Sequence, residues 1–60
     1  MNQQQILERM QAIRERQESL LKVILAESDV EELTRHMAER DQLIIENSDL
    51  SVKLVQLQQS

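Results

Sequence analysis

The chain has 60 residues, 40% hydrophobic and 30% charged, with no Cys, Gly, Pro or aromatic residue and a net charge of −4. Absence of Cys removes disulfides and thiolate metal sites, and a single histidine, His36, excludes a His-rich zinc constellation. An acidic chain without aromatic stacking platforms is poorly suited to nucleic acid, and its longest apolar run, Val23-Ile24-Leu25-Ala26, falls far short of the roughly 20 residues of a membrane span.

A chain of this size buries only about 60% of its unfolded surface, so its own core is marginal without self-association or a partner. Good helix formers (Gln, Glu, Leu, Arg, Ala, Met) dominate, and the Gly and aromatic residues that favour hairpin turns and sheets are missing. The polar start, Met1 to Gln5, has no basic segment and does not read as a signal peptide, which leads to an expected cytoplasmic location.

The first predicted element covers about residues 2–26. Ile6, Met10, Ile13, Gln17, Leu20 and Ile24 recur at alternating spacings of four and three, the pattern of a coiled-coil seam. Leu7, Leu21, Val23 and Leu25 widen it, so the end near Leu20–Leu25 is expected to meet more than one helix; a chaperone in particular would leave an apolar groove open around Val23–Leu25.

Continuing that seam would require apolar residues at 27 and 31, and both are Glu. The break coincides with a capping-box pattern, Ser28 with Glu31 or Asp29 with Glu32, and with acids suited to the positive end of a new helix dipole. The expected result is a tight turn at about 27–28, although no Gly stands at the preceding helix end. A single bent helix of about 85–90 Å, at 1.5 Å per residue, is the alternative.

The second predicted helix covers about residues 29–58, with Gln56 to Ser60 expected to fray. Val30, Leu33, Met37 and Ile44 are expected to face one way, and from Leu43 the seam passes to Leu43, Asn47, Leu50, Leu54 and Leu57. Glu18–Lys22, Glu31–Arg35 and Asp49–Lys53 have the acid-first spacing of helix-supporting pairs. Asn47-Ser48-Asp49 echoes Glu27-Ser28-Asp29, and is read as tolerated within a helix in preference to a second turn.

Charge is divided unevenly. Residues 1–26 hold four basic and three acidic side chains, net +1, and residues 27–60 hold three basic and eight acidic ones, net −5. Such halves suit antiparallel packing on one another, within a chain or between chains.

Two polar residues interrupt the seams. Asn47 has a candidate role in fixing register, because mispairing would leave its amide unsatisfied, whereas Gln17 is long enough to reach water at an edge. Arg40 falls where the second seam calls for an apolar residue, so its stem would lie along the core or its guanidinium would pair with a neighbouring helix. His36 is read as a surface residue capped by Glu32, and Met10 and Met37 as core fillers. The carboxylates Glu31, Glu32, Glu39, Asp41, Glu46 and Asp49 spread over several faces, no phosphate loop exists without Gly, and no nucleophile converges on a base, so no enzyme is expected.

Ser28-Asp29-Val30-Glu31-Glu32-Leu33 followed by Met37-Ala38-Glu39-Arg40-Asp41-Gln42-Leu43-Ile44 resembles the turn and second helix of FliT-type flagellar export chaperones. It departs at Val30, where that family usually has Trp. The resemblance implies binding of a secreted structural subunit to prevent early assembly. Residues 38–50, Ala38 to Leu50, are similar to the dimerising helix of small phage scaffolding proteins, which implies an oligomer that templates assembly.

The expected architecture is an all-α helical hairpin with coiled-coil-like seams that self-associates as an antiparallel dimer. Its interaction residues are Ile6, Met10, Ile13, Leu20, Val23, Ile24, Leu33, Met37, Ile44, Asn47, Leu50, Leu54 and Leu57. No cofactor, metal or small-molecule substrate is expected. The expected partners are proteins: further copies of the chain and a second protein to be chaperoned, scaffolded or, for a phage- or plasmid-type regulator, inhibited.

Overall fold

A computed structural model describes residues 2–59. Two helices, α1 (Gln3–Ala26) and α2 (Val30–Gln59), pack on each other as a hairpin. At 1.5 Å per residue they are about 36 Å and about 45 Å long, so α2 outruns α1 at the open end. The single bent helix is therefore set aside. Residues 47–49 lie within α2, so their likeness to the turn marks no second break. Helix continues through Gln59, one residue beyond the expected bound; Met1 and Ser60 lie outside the described residues.

Each helix begins on a side-chain cap. Asn2 Oδ1 accepts from the Gln5 backbone N–H at 2.9 Å, and the Asn2 N–H donates to Gln5 Oε1 at 3.0 Å. This reciprocal box satisfies two donors that a helix start otherwise leaves unpaired. At the head of α2, Asp29 Oδ1 accepts from the N–H groups of Glu31 and Glu32, at 2.9 and 3.2 Å, so Asp29 is the cap and Ser28 is not. The Asp29 N–H donates to Glu27 Oε1 at 2.9 Å, in place of the return bond from Glu32.

The connection consists of Glu27, Ser28 and Asp29. Glu27 has extended geometry, φ −85° and ψ 130°, and its N–H still reaches the Ile24 carbonyl at 3.4 Å. Among the described residues no backbone φ is positive. The missing Gly is thus explained: the chain leaves α1 through an extended residue instead of a left-handed one.

Ile6, Ile13 and Leu20 from α1 and Leu43 and Leu50 from α2 form the buried core, with Met10 and Leu54 packed against it. Within each helix the core residues lie seven apart, so one narrow stripe does the burying. The intervening seam positions Met10, Gln17, Ile24, Asn47 and Leu54 are half-buried. Counting back from Leu43, the same stripe takes in Arg40, His36 and Leu33. His36 and Leu33 are accordingly half-buried, and His36 is not the surface residue expected from the sequence. Val30, Met37 and Ile44 lie on the same side of α2 as Leu33, as their spacing requires, but beyond the edge of the buried stripe, where they remain 75%, 46% and 41% exposed.

Two outcomes test this assignment. Ile13→Ala should lower unfolding free energy by about 2–5 kcal/mol in urea titrations, whereas Ile45→Ala, on the exposed side of α2, should change it far less. Asp29→Ala should cost about 1 kcal/mol by the same measurement and Ser28→Ala almost nothing, since one residue caps and its neighbour does not.

Candidate protein-interaction surface

The core stripe leaves the hairpin with two dissimilar flanks. On one, Arg9 Nε and Nη2 donate to Glu46 Oε2 and Oε1 at 2.5 and 2.8 Å. One heptad further along, Arg16 Nε and Nη2 donate to Glu39 Oε2 and Oε1 at 2.6 and 3.0 Å. Both pairs are two-pronged, the geometry in which a planar guanidinium matches a carboxylate best. They realise the charge division in the sequence, since α1 supplies both cations and α2 both anions. Val23 continues this flank at the same seven-residue spacing and is 40% exposed.

The two pairs set the alignment of the helices. Arg9 to Arg16 is one heptad forward and Glu46 to Glu39 one heptad back, as antiparallel packing requires, and Glu32 continues the same acidic row. Hydrogen bonding by Arg16 holds the Glu39 carboxyl below its ordinary value of 4.5, and Arg9 does the same for Glu46; partial desolvation opposes each effect. The guanidiniums of Arg9 and Arg16 are raised in turn by the same hydrogen bonds.

The opposite flank is open, with exposed apolar side chains set among charged ones. Leu7 and Leu21 from α1 and Met37 and Ile44 from α2 are 41–51% exposed along it. Arg14, Gln17, Glu18, Leu21, Arg40 and Ile44 border a shallow groove of about 300 Å³ between the helices. Arg40 therefore lies at the mouth of this groove. Neither Arg14 nor Arg40 joins an ion pair among the described residues. Around the outside of α2 the apolar surface continues through Ile45, Val52 and Val55, and Ser51, Val52, Val55 and Gln56 line a second shallow depression.

The expected interaction residues thus divide into two sets. Ile6, Met10, Ile13, Leu20, Leu50 and Leu54 are engaged within the hairpin, and Ile24, Leu33 and Asn47 sit half-buried along its seam. Val23, Met37, Ile44 and Leu57 remain 40–46% exposed. The groove that a chaperone would need around Val23–Leu25 is not there: Val23 follows the ion-pair flank, and Leu25 is 79% exposed and does not line the open groove. The open groove lies farther from the turn, at Leu21 and Ile44.

Gln17 borders that groove and Asn47 is half-buried; among the described residues no buried side-chain polar atom lacks a partner. Arg35 donates to Glu32 at 2.5 Å instead of to Glu31, and Glu32 Oε2 also stands 4.0 Å from His36 Nε2. The Asn2–Gln5 cap and the Arg–Glu pairing were not anticipated as individual contacts. The first was signalled by Asn-x-x-Gln ahead of the apolar seam, the second by Arg9, Arg16, Glu39 and Glu46 recurring one heptad apart.

Among the described residues no group of His, Asp or Glu is placed to hold a metal ion, and no helix is long and apolar enough to cross a membrane. Compared with protein-family models, with curated proteins and with solved structures, the chain matches none.

The ion-pair flank generates a pH dependence. Glu39 and Glu46 have lowered folded-state values, so their stabilisation is present above the ordinary carboxylate value of 4.5 and is lost as pH falls through those lower values. Replacing both by Gln should lower the urea midpoint at neutral pH and flatten its fall on acidification below 4.5, as followed by circular dichroism. Equal acid slopes for the two proteins would refute a contribution from the pairs.

Proposed function

We propose that this chain is a non-catalytic interaction module that binds, sequesters or organises another protein by helix–helix packing. One observation carries the reading: eleven large apolar side chains are exposed and only five are buried among the described residues. Scattered apolar residues on a surface need no explanation, but these concentrate on the open flank and the outer side of α2. Aliphatic side chains at helical spacing suit the apolar face of another helix.

The more concrete version is a chaperone or adaptor for a subunit that assembles with others. The segment resembling FliT-type export chaperones suggests this version, but the groove it calls for around Val23–Leu25 lies instead at Leu21 and Ile44. A scaffold whose own oligomer templates assembly is the second reading, favoured by the match of apolar spacings along the flank itself. A nucleic-acid regulator has less support, because Arg9 and Arg16 are engaged by Glu46 and Glu39.

Photo-cross-linking in the cells that produce the chain tests the proposal. With the photoreactive residue in place of Ile44, adducts with defined proteins are expected; in place of Glu15, on the exposed outer side of α1, they are not. Mass spectrometry then separates an assembling subunit from further copies of this chain. Equal, diffuse labelling at both positions, or none at either, would overturn the interaction reading.

A further inference from the structure

We propose that the open flank is the seat of a second copy of this chain, packed about a two-fold axis at the level of Arg14 and Ile44 to form an antiparallel four-helix bundle. The inference rests on the interaction reading above and names its partner. It starts from the pattern of side chains along the flank. Leu7, Arg14 and Leu21 follow one another at seven-residue intervals on α1, as do Met37, Ile44 and Ser51 on α2. Arg14 and Ile44 border the same groove, so the midpoints of the two triplets lie side by side.

A two-fold axis through those midpoints, across the helices, exchanges the ends of each triplet. Leu7 then meets Leu21 of the other copy, and Leu21 meets Leu7. Ile44 meets its own equivalent, and the large Met37 meets the small Ser51. Self-complementarity of this kind, with residue i on j and j on i, is what an isologous interface requires. An unrelated helix docking here would require no such symmetry about Arg14 and Ile44.

Charge agrees with the same partner. The cations on this flank, Arg14 and Arg40, are matched by the anions Glu18 and Asp41, with Asp41 falling between Met37 and Ile44 at spacings of four and three. The axis sets Arg14 beside the partner's Arg14, and Glu18 of each copy lies about one helical turn from both guanidiniums, so the central cations are flanked by two carboxylates that offset their mutual repulsion. A strongly acidic or basic partner would meet no opposing field here.

Area agrees as well. The hairpin extends over 47 × 15 × 13 Å and exposes 4713 Å², so the roughly 800 Å² per partner of a standard stable interface would take about a sixth of its surface. A single added helix would cover only the central part of the open flank. The ion-pair flank offers no comparable apolar face, since its centre is occupied by Arg9, Arg16, Glu39 and Glu46.

The absence of Cys from the sequence allows an unambiguous test with the full chain. Light scattering should give twice the 7.1 kDa chain mass at micromolar concentration. Under mild oxidation Ile44→Cys should cross-link to itself, and a mixture of Leu7→Cys with Leu21→Cys should give the mixed dimer; Glu15→Cys should give neither. The double substitution Leu21→Glu with Met37→Glu should reduce the mass to one chain while the helical signal persists.

A one-chain mass together with no Ile44→Cys cross-link would overturn the proposal. So would a dimer that cross-links through Ala12→Cys, on the ion-pair side, in preference to Ile44→Cys. Should either result accompany photo-cross-linking of Ile44 to a different protein, the interaction reading would stand and only its partner would change.

Discussion

Everything in this hairpin depends on how narrow its apolar stripe is. Two helices in contact can hide only the residues that face each other, and here Ile6, Ile13, Leu20, Leu43 and Leu50 fill that space. Each such side chain contributes about 1.5–3 kcal/mol on burial, which must offset the ordering of a chain of 60 residues. A two-helix layer has no second row behind the first. The apolar residues beside the stripe, Leu7, Leu21, Met37 and Ile44, therefore stay on the surface however well the pair is packed.

The polar contacts act on alignment more than on strength. Both Arg–Glu pairs lie at the exposed margin of the seam, where ion pairs add little to stability. Their value lies in direction and register: a slip of one helical turn would separate both at once. One flank is closed by ion pairs and the other is open, with exposed apolar side chains, so the hairpin has two unlike sides.

Much of the fold was legible in the sequence, and what was missed follows from simple geometry. The alternating four-three spacing marked α1, and the break at Glu27 with Asp29 and Glu32 beyond it marked the turn. The absence of Gly counted against that turn only on the assumption of a left-handed exit from α1; an extended Glu27 makes it unnecessary. The face of α2 was harder to read near its start. Val30, Leu33, Met37 and Ile44 form one apolar face, yet the stripe that meets α1 runs along its edge, through Leu33, His36, the exposed Arg40 and Leu43. Three apolar residues were more conspicuous than a His and an Arg, although the latter keep phase with Leu43 and Leu50. Whether a surface residue meets a partner is a property of two molecules, so one chain's spacing reveals a matching pattern without the contact itself.

The connection between the helices has a consequence for how the chain tolerates change. Its reversal needs no residue of special backbone freedom, and the capping falls to the Asp29 side chain. Ser28 is thus open to broad substitution, Glu27 is held by its bond to the Asp29 N–H, and the heptad positions are held by volume and phase. Mutational freedom should gather at the bend and on the outer side of α1, leaving sequence memory of this shape in the spacing of residues instead of in any short signature.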